Sequence, residues 1–234
     1  MKKVLKITGL IIGIIILAVL VAVILFPALP TYLRVKKNCP HINDTVGVYT
    51  DDDISVPKDF ERYELKGLYI SAPKGTYNKD SEMISFKDGK KFMVMVSQSE
   101  LSDYSFYNEG ISKYSEKDYE YFYRTLNGKI PESSLEDIKI LRNMTLKDCL
   151  KLRGTDIKIF EELAESKEFV AELETVNVYE RYGISGILCD IKNSRTKEYL
   201  NLMFNHGGYE YIVTVTGENP ETVRQVIASV IPTD

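Results

Sequence analysis

The stretch Tyr199-Leu200-Asn201-Leu202-Met203-Phe204, then Asn205-His206-Gly207-Gly208, then Tyr209-Glu210-Tyr211-Ile212-Val213-Thr214-Val215-Thr216 decides the fold class. In an extended strand, Leu200, Leu202 and Phe204 share one face and Tyr199, Asn201 and Met203 the other. A glycine pair between two such runs is a hairpin signal. Two further strand-like runs precede it, at residues 171–180 and 184–192, with Tyr182-Gly183 between them and Asn193-Ser194 before residue 197. Four strands joined by short turns predict an antiparallel meander. On the second run Cys189 alternates with Ile187 and Ile191, which reads as core. After the meander, Asn219-Pro220-Glu221 opens a helix, with Asn219 as cap and Pro220 in the first turn. Val223, Val226, Ile227, Val230 and Ile231 form its buried stripe, and Pro232 ends it.

Working back along the chain, residues 115–164 read as helical. Ser115 to Asp118 caps a helix whose apolar positions are Tyr119, Phe122, Tyr123 and Leu126, ended by Asn127-Gly128. Ser133 and Glu136 have the spacing of a capping box, ahead of Leu135, Ile138 and Leu141. Thr145 opens a helix over 146–153 closed by Gly154, and Asp156 caps another carrying Ile157, Phe160, Leu163 and Ala164. Before these lies a first β block, with strands at 65–72, 82–86 and 92–97 and a hairpin turn at Lys87-Asp88-Gly89-Lys90. The strand at 92–97 is apolar on both faces, as expected of a central strand. The order is β block, helices, meander, helix. It predicts an α+β domain over 61–234, an antiparallel sheet covered by helices.

The N-terminus reads differently. Residues 7–26 form an unbroken run of 20 without charge, about 30 Å as a helix, which matches a bilayer's hydrocarbon core. Lys2, Lys3 and Lys6 precede it within a short tail of residues 1–6, and Pro27 and Pro30 follow. The run exceeds the span of a cleaved signal segment and lacks a small-x-small cleavage site. It predicts one uncleaved transmembrane anchor. Arg34, Lys36 and Lys37 flank its far side, so the charge rule is close to a tie. Lys6, which touches the helix end, turns it to a cytoplasmic N-terminus and an extracytoplasmic body. The same three basic residues are expected near the lipid headgroups. Gly9 and Gly13, four apart, offer a face for pairing two copies within the membrane. Residues 27–60, with prolines at 27, 30, 40 and 57 and the acidic run Asp51-Asp52-Asp53, read as a stalk.

Charge narrows the partners. Residues 1–39 carry six basic groups and no acid, so the remainder holds 24 basic against 34 acidic groups, a net charge of −10. A body that acidic repels nucleic acid and anionic lipid, so neither is an expected partner for it. His41 and His206 are the only histidines, and neither has Cys/His spacing for zinc. Cys39, Cys149 and Cys189 have no CxxC spacing and read as buried thiols, a 149–189 bridge being the alternative. Phosphate loops, a nucleophile triad and HExxH are absent, so no catalytic residue, metal or cofactor is expected. The acceptor triplets Asn43-Asp44-Thr45 and Asn143-Met144-Thr145 matter only in a secretory pathway. The densest aromatic stretch runs from residue 104 to 123, and its start, Tyr104, Phe106 and Tyr107, is the candidate partner surface.

Gly67-Leu68-Tyr69-Ile70-Ser71-Ala72-Pro73, and Gly208 to Val213 continued through Pro220-Glu221-Thr222 to Ile231, resemble the opening and closing segments of the PsbP-like fold. That fold occurs in extrinsic photosystem subunits and in bacterial extracytoplasmic lipoproteins. The resemblance covers residues 60–234. The helical anchor departs from the lipoprotein members, and no functional residue carries over. The resemblance implies an accessory or binding role toward a protein or envelope component. The alternatives are an enzyme with a site assembled from scattered polar residues, and a domain tethered on the cytoplasmic side.

Overall fold

The computed structural model describes residues 2–49, 54–78, 83–85, 92–191 and 198–233. Their elements, in chain order, are α1 (Lys2–Leu25), α2 (Leu29–Asn38), β1 (Gly47–Val48), β2 (Glu61–Leu65), β3 (Leu68–Ala72), β4 (Thr76–Asn78), β5 (Met83–Ser85), β6 (Met93–Glu100), α3 (Glu116–Asn127), α4 (Ser134–Asn143), α5 (Thr155–Leu173), β7 (Glu174–Arg181), β8 (Ile184–Ile191), β9 (Glu198–His206), β10 (Tyr209–Gly217), α6 (Pro220–Ile227) and β11 (Ile231–Pro232). Short 3-10 turns lie at Pro40–Asn43, Leu101–Asp103 and Asp148–Lys151. The architecture is α+β. The chain divides into two compact units, one of residues 1–44, 107–130 and 144–168, the other of residues 45–106, 131–143 and 169–234.

The second unit holds both sheets. The larger has the order β1-β7-β8-β9-β10-β6-β5-β4, and β7 to β10 form the antiparallel meander read from the sequence. It is mixed rather than wholly antiparallel, because β1 pairs with β7 in parallel. The hairpins on either side of β8 and β9 confirm the turn chemistry. Tyr182-Gly183 and Gly207-Gly208 have positive φ at both central positions, as a two-residue turn of the primed type requires. The same turn recurs at Lys66-Gly67, with φ of 48° and 76°. It shortens the expected strand over 65–72 to β3, residues 65–67 being the end of β2 and the turn of a β2–β3 hairpin. β3 then pairs with β11 to make a separate three-stranded sheet, β11-β3-β2, and does not join the first β block.

The alternation predicted for β9 sets the two faces. Leu200, Leu202 and Phe204 join Leu188, Tyr211, Val213 and Val215 in the main core, roofed by α6 through Val223, Val226 and Ile227. The Phe204 and Tyr211 rings stack at 5.2 Å in this layer. The Tyr179 hydroxyl donates to the Ile227 carbonyl at 3.2 Å, tying β7 to α6. On the opposite face Ile187, Cys189 and Met203 pack under Leu135 and Ile138 of α4. β6, the strand read as central, lies between β10 and β5. The expected helix over 220–231 is shorter: α6 stops at Ile227, Val230 is buried, and Ile231 pairs with Tyr69 instead of packing as helix.

In the first unit α3 has the predicted caps. Ser115 and Asp118 exchange side-chain bonds to each other's backbone, and Gly128 closes the helix at φ 82°. The helix expected at 146–153 is only a 3-10 turn. Leu146, Cys149 and Leu152, all buried, are three apart, the repeat of a 3-10 helix and not of an α-helix. α5 starts at Thr155, so Asp156 lies inside its first turn and does not cap it. Over residues 27–43, where the sequence reads as a stalk, the chain forms α2 and a 3-10 turn. The apolar run of residues 7–26 falls largely within α1. Counting only residues whose side chains are described, no helix is long and apolar enough to cross a membrane; in α1 those are residues 12, 14–22, 24 and 25. The acidic run 51–53 and the turns at 87–90 and 193–194 lie outside the described residues.

Candidate functional site

In the second unit, polar residues gather where β6, the β9–β10 hairpin and the start of α4 meet. β6 runs into the 3-10 turn 101–103, and the Leu101 N–H donates to the Gly208 carbonyl at 3.0 Å, pinning the strand exit to the hairpin. Tyr104 follows, with its N–H bonded to the Leu101 carbonyl. On β10, Glu210 shares the α4-facing side with Ile212 and is buried. Its Oε2 accepts the Leu135 N–H at 3.0 Å, satisfying a donor that the first turn of a helix leaves unpaired. Ser133 adds the predicted cap, accepting the Glu136 N–H at 3.2 Å. Glu136 Oε2 in turn accepts the Glu132 N–H at 3.0 Å. Asn205, opposite Glu210 in the ladder, donates to Ser133 Oγ at 3.0 Å.

Two polar atoms in this cluster are enclosed without a hydrogen-bond partner, the Tyr104 hydroxyl and Asn205 Oδ1. Burial pushes the Tyr104 pKa far up, and the carboxylates of Asp137, Glu210 and Glu136 push it further. Asp137 acts on it without reaching hydrogen-bond geometry. A phenol so held stays protonated and serves as a donor, not as a base. Buried polar atoms of this kind take a water or a ligand group. His206 and Tyr209 are exposed at the adjacent hairpin end. The arrangement suits hydrogen-bonded contact with a polar partner.

The predicted aromatic trio is only partly assembled. Tyr104 and Phe106 belong to the second unit and Tyr107 to the first, where its ring meets that of Tyr119 at 6.1 Å. All three are half-buried, neither core nor open surface. Tyr104 buries its hydroxyl end, the reverse of the usual tyrosine at a boundary. Asn205 and Glu210 escaped the sequence reading. Glu210 does carry a signal, the one carboxylate in an otherwise apolar and hydroxyl-bearing strand, one residue in from its start.

In the first unit, the basic residues 34–37 have separate fates. Arg34 grips Glu161 of α5, with Nε and Nη2 at 2.7 and 2.8 Å, and Nη2 also reaches Thr31 Oγ1 at 3.1 Å. Lys36 and Lys37 are exposed. Further on, His41 donates its backbone N–H to Glu168 at 2.8 Å and sets its ring Nδ1 2.5 Å from the same carboxylate. Lys167, buried on α5, donates to the Ile42 and Met144 carbonyls at 2.8 and 2.7 Å. Val35, Cys39 and Ile42 are buried alongside. Gly9 and Gly13 lie within α1.

The three cysteines are free and buried. Burial is the first cause raising each thiol: Cys149 to about 11 and Cys189 to about 12, with Cys39 also raised. Protonated thiols are inert, which fits a packing role. Among the described residues no group of three His, Cys, Asp or Glu side chains could hold a metal ion. The sequence matches no protein-family model and no characterised protein.

Proposed function

We propose that this chain is a single-pass membrane-anchored accessory or binding protein, with its folded body outside the cytoplasm. The observation that carries the reading is the surface of α1. Ile14, Ile15, Ile16, Leu17, Val19 and Leu20 are successive or near-successive residues, and each is more than half exposed. Such residues occupy every side of a helix. A helix apolar all round is buried in protein or in lipid, and among the described residues of α1 these six are left uncovered by the rest of this chain. Lys2, Lys3 and Lys6 before it favour a cytoplasmic N-terminus. Gly9 and Gly13 supply a close-packing face for a second copy.

The binding end of the body is the polar cluster of Tyr104, Ser133, Asn205 and Glu210, and its partner is a protein or envelope component that offers hydrogen-bonding groups. The resemblance to PsbP-like accessory proteins belongs to this reading, and β10 leading into a sheet-covering α6 supports it. Alkaline carbonate extraction and protease treatment of intact cells test the anchor. The protein should stay with the membrane and lose its body to protease added outside. Release by carbonate, or complete protection of the body, would overturn the anchor or its orientation respectively.

A further inference from the structure

We infer that the face of the first unit formed by α2 and the 3-10 turn at Asp148–Lys151 rests on the headgroups of the anionic bilayer that holds α1. This inference rests on the anchor reading and adds a second membrane contact to it.

The Cys149 thiol lies 3.9 Å from the carbonyl oxygen of Ala28. Ala28 is three residues beyond Leu25, the last residue of α1. At about 1.5 Å of rise per residue that is roughly 5 Å past the helix end. The headgroup layer of each leaflet is about 5–8 Å deep, so a turn held at Ala28 sits at headgroup level. The intervening chain is compact, because the Phe26 N–H bonds to the Ala22 carbonyl and the Leu29 N–H to the Phe26 carbonyl.

Cys149 is buried, while its neighbour Leu150 is 45% exposed. On α2 the buried residues are Thr31 and Val35, and Leu33, on the opposite side, is 57% exposed. Single exposed leucines are ordinary on a protein surface. These two are flanked by exposed Lys36, Lys37, Lys147, Lys151 and Arg153. The sole acid among residues 26–39 and 144–153 is Asp148, whose oxygens are occupied by Lys151 at 2.6 Å and Thr145 at 2.8 Å. Apart from Arg34, which Glu161 pairs, these two segments carry five basic groups against that one acid, in a chain that is acidic beyond residue 39. Leucine between lysines is the composition of an interfacial contact, and a bilayer is the one partner that α1 keeps permanently within reach.

The test uses the full-length protein in nanodiscs of phosphatidylcholine alone or mixed with phosphatidylserine. An environment-sensitive probe is attached to L150C; the native thiols are buried and protonated, and the exposed site accepts the substitution. We expect a blue-shifted probe, quenched severalfold more by a lipid-borne quencher in the anionic discs than in the neutral ones. Lys147→Glu with Lys151→Glu should return it to the neutral-disc value. A probe quenched as fully by aqueous iodide as the free dye, and not by the lipid-borne quencher, overturns the inference while leaving the anchor standing. Failure of the chain to enter nanodiscs overturns the anchor reading and this one with it.

Discussion

The Arg34 guanidinium holds both carboxylate oxygens of Glu161, joining α2 to α5 across 127 residues of sequence. The pair is partly exposed, so its contribution is directional as much as energetic. Arg34→Glu should therefore loosen α2 without unfolding the protein, and the double variant with Glu161→Arg should restore it. Amide hydrogen exchange over residues 29–43 reads both outcomes. Unchanged exchange in the single variant would show that the pair does not position α2.

Lys167 makes the complementary buried contact. Lys167→Met keeps the stem's packing but leaves the Ile42 and Met144 carbonyls without the ammonium that meets them. Leaving buried acceptors unmet costs about 1–3 kcal/mol, so chemical denaturation should show a loss in that range.

Asp156 gives the first unit a pH dependence. It is 3% exposed, its Oδ2 has no partner, and burial, then the charge of Asp118, raises its pKa to about 6 from 3.8. The folded state thus favours the protonated acid. Its contribution is complete below about pH 3.8 and is lost as pH rises through 6. Asp156→Asn should raise the melting temperature at pH 7.5 by a few degrees and leave it little changed at pH 4. An equal shift at both pH values would rule out the titration.

Gly186 sits opposite Phe204 in the β8–β9 ladder. A methyl group there would press on the Met203 carbonyl oxygen and lie 2.9 Å from Phe204 Cβ. Gly186→Ala should destabilise the second unit by about 1–3 kcal/mol, the usual cost of overpacking, measured by thermal melting.

At the candidate site, Tyr104→Phe removes an enclosed hydroxyl that has no protein partner. Stability should hold or rise by up to about 1 kcal/mol, since no hydrogen bond is lost. Capture of the partner, read by crosslinking in intact cells, should fall. A destabilised Tyr104→Phe protein would mean that the hydroxyl serves the fold and not a ligand.

Much of this protein was legible locally. The alternation of Leu200, Leu202 and Phe204, the Ser115 and Asn219 caps and the glycine at 128 each depend on neighbours a few residues away, and each is where the pattern put it. Local pattern misled where two periods compete. Residues 146–153 look helical, yet with buried residues three apart only Asp148–Lys151 winds, as a 3-10 turn. Leu65 to Ala72 looks like one strand, and only a hairpin permits the positive φ at Lys66 and Gly67. The sites lay further from view. Glu210 meets Leu135 across 75 residues, Arg34 meets Glu161 across 127, and Lys167 meets Ile42 across 125. A charged side chain leaves the same mark in the sequence whether it ends in water or against a distant backbone group. Hydrophobic period and turn chemistry act over one or two turns of chain, so the sequence determined the elements. Which polar groups were enclosed, and which remained without a partner, was decided only when the tertiary structure removed them from water.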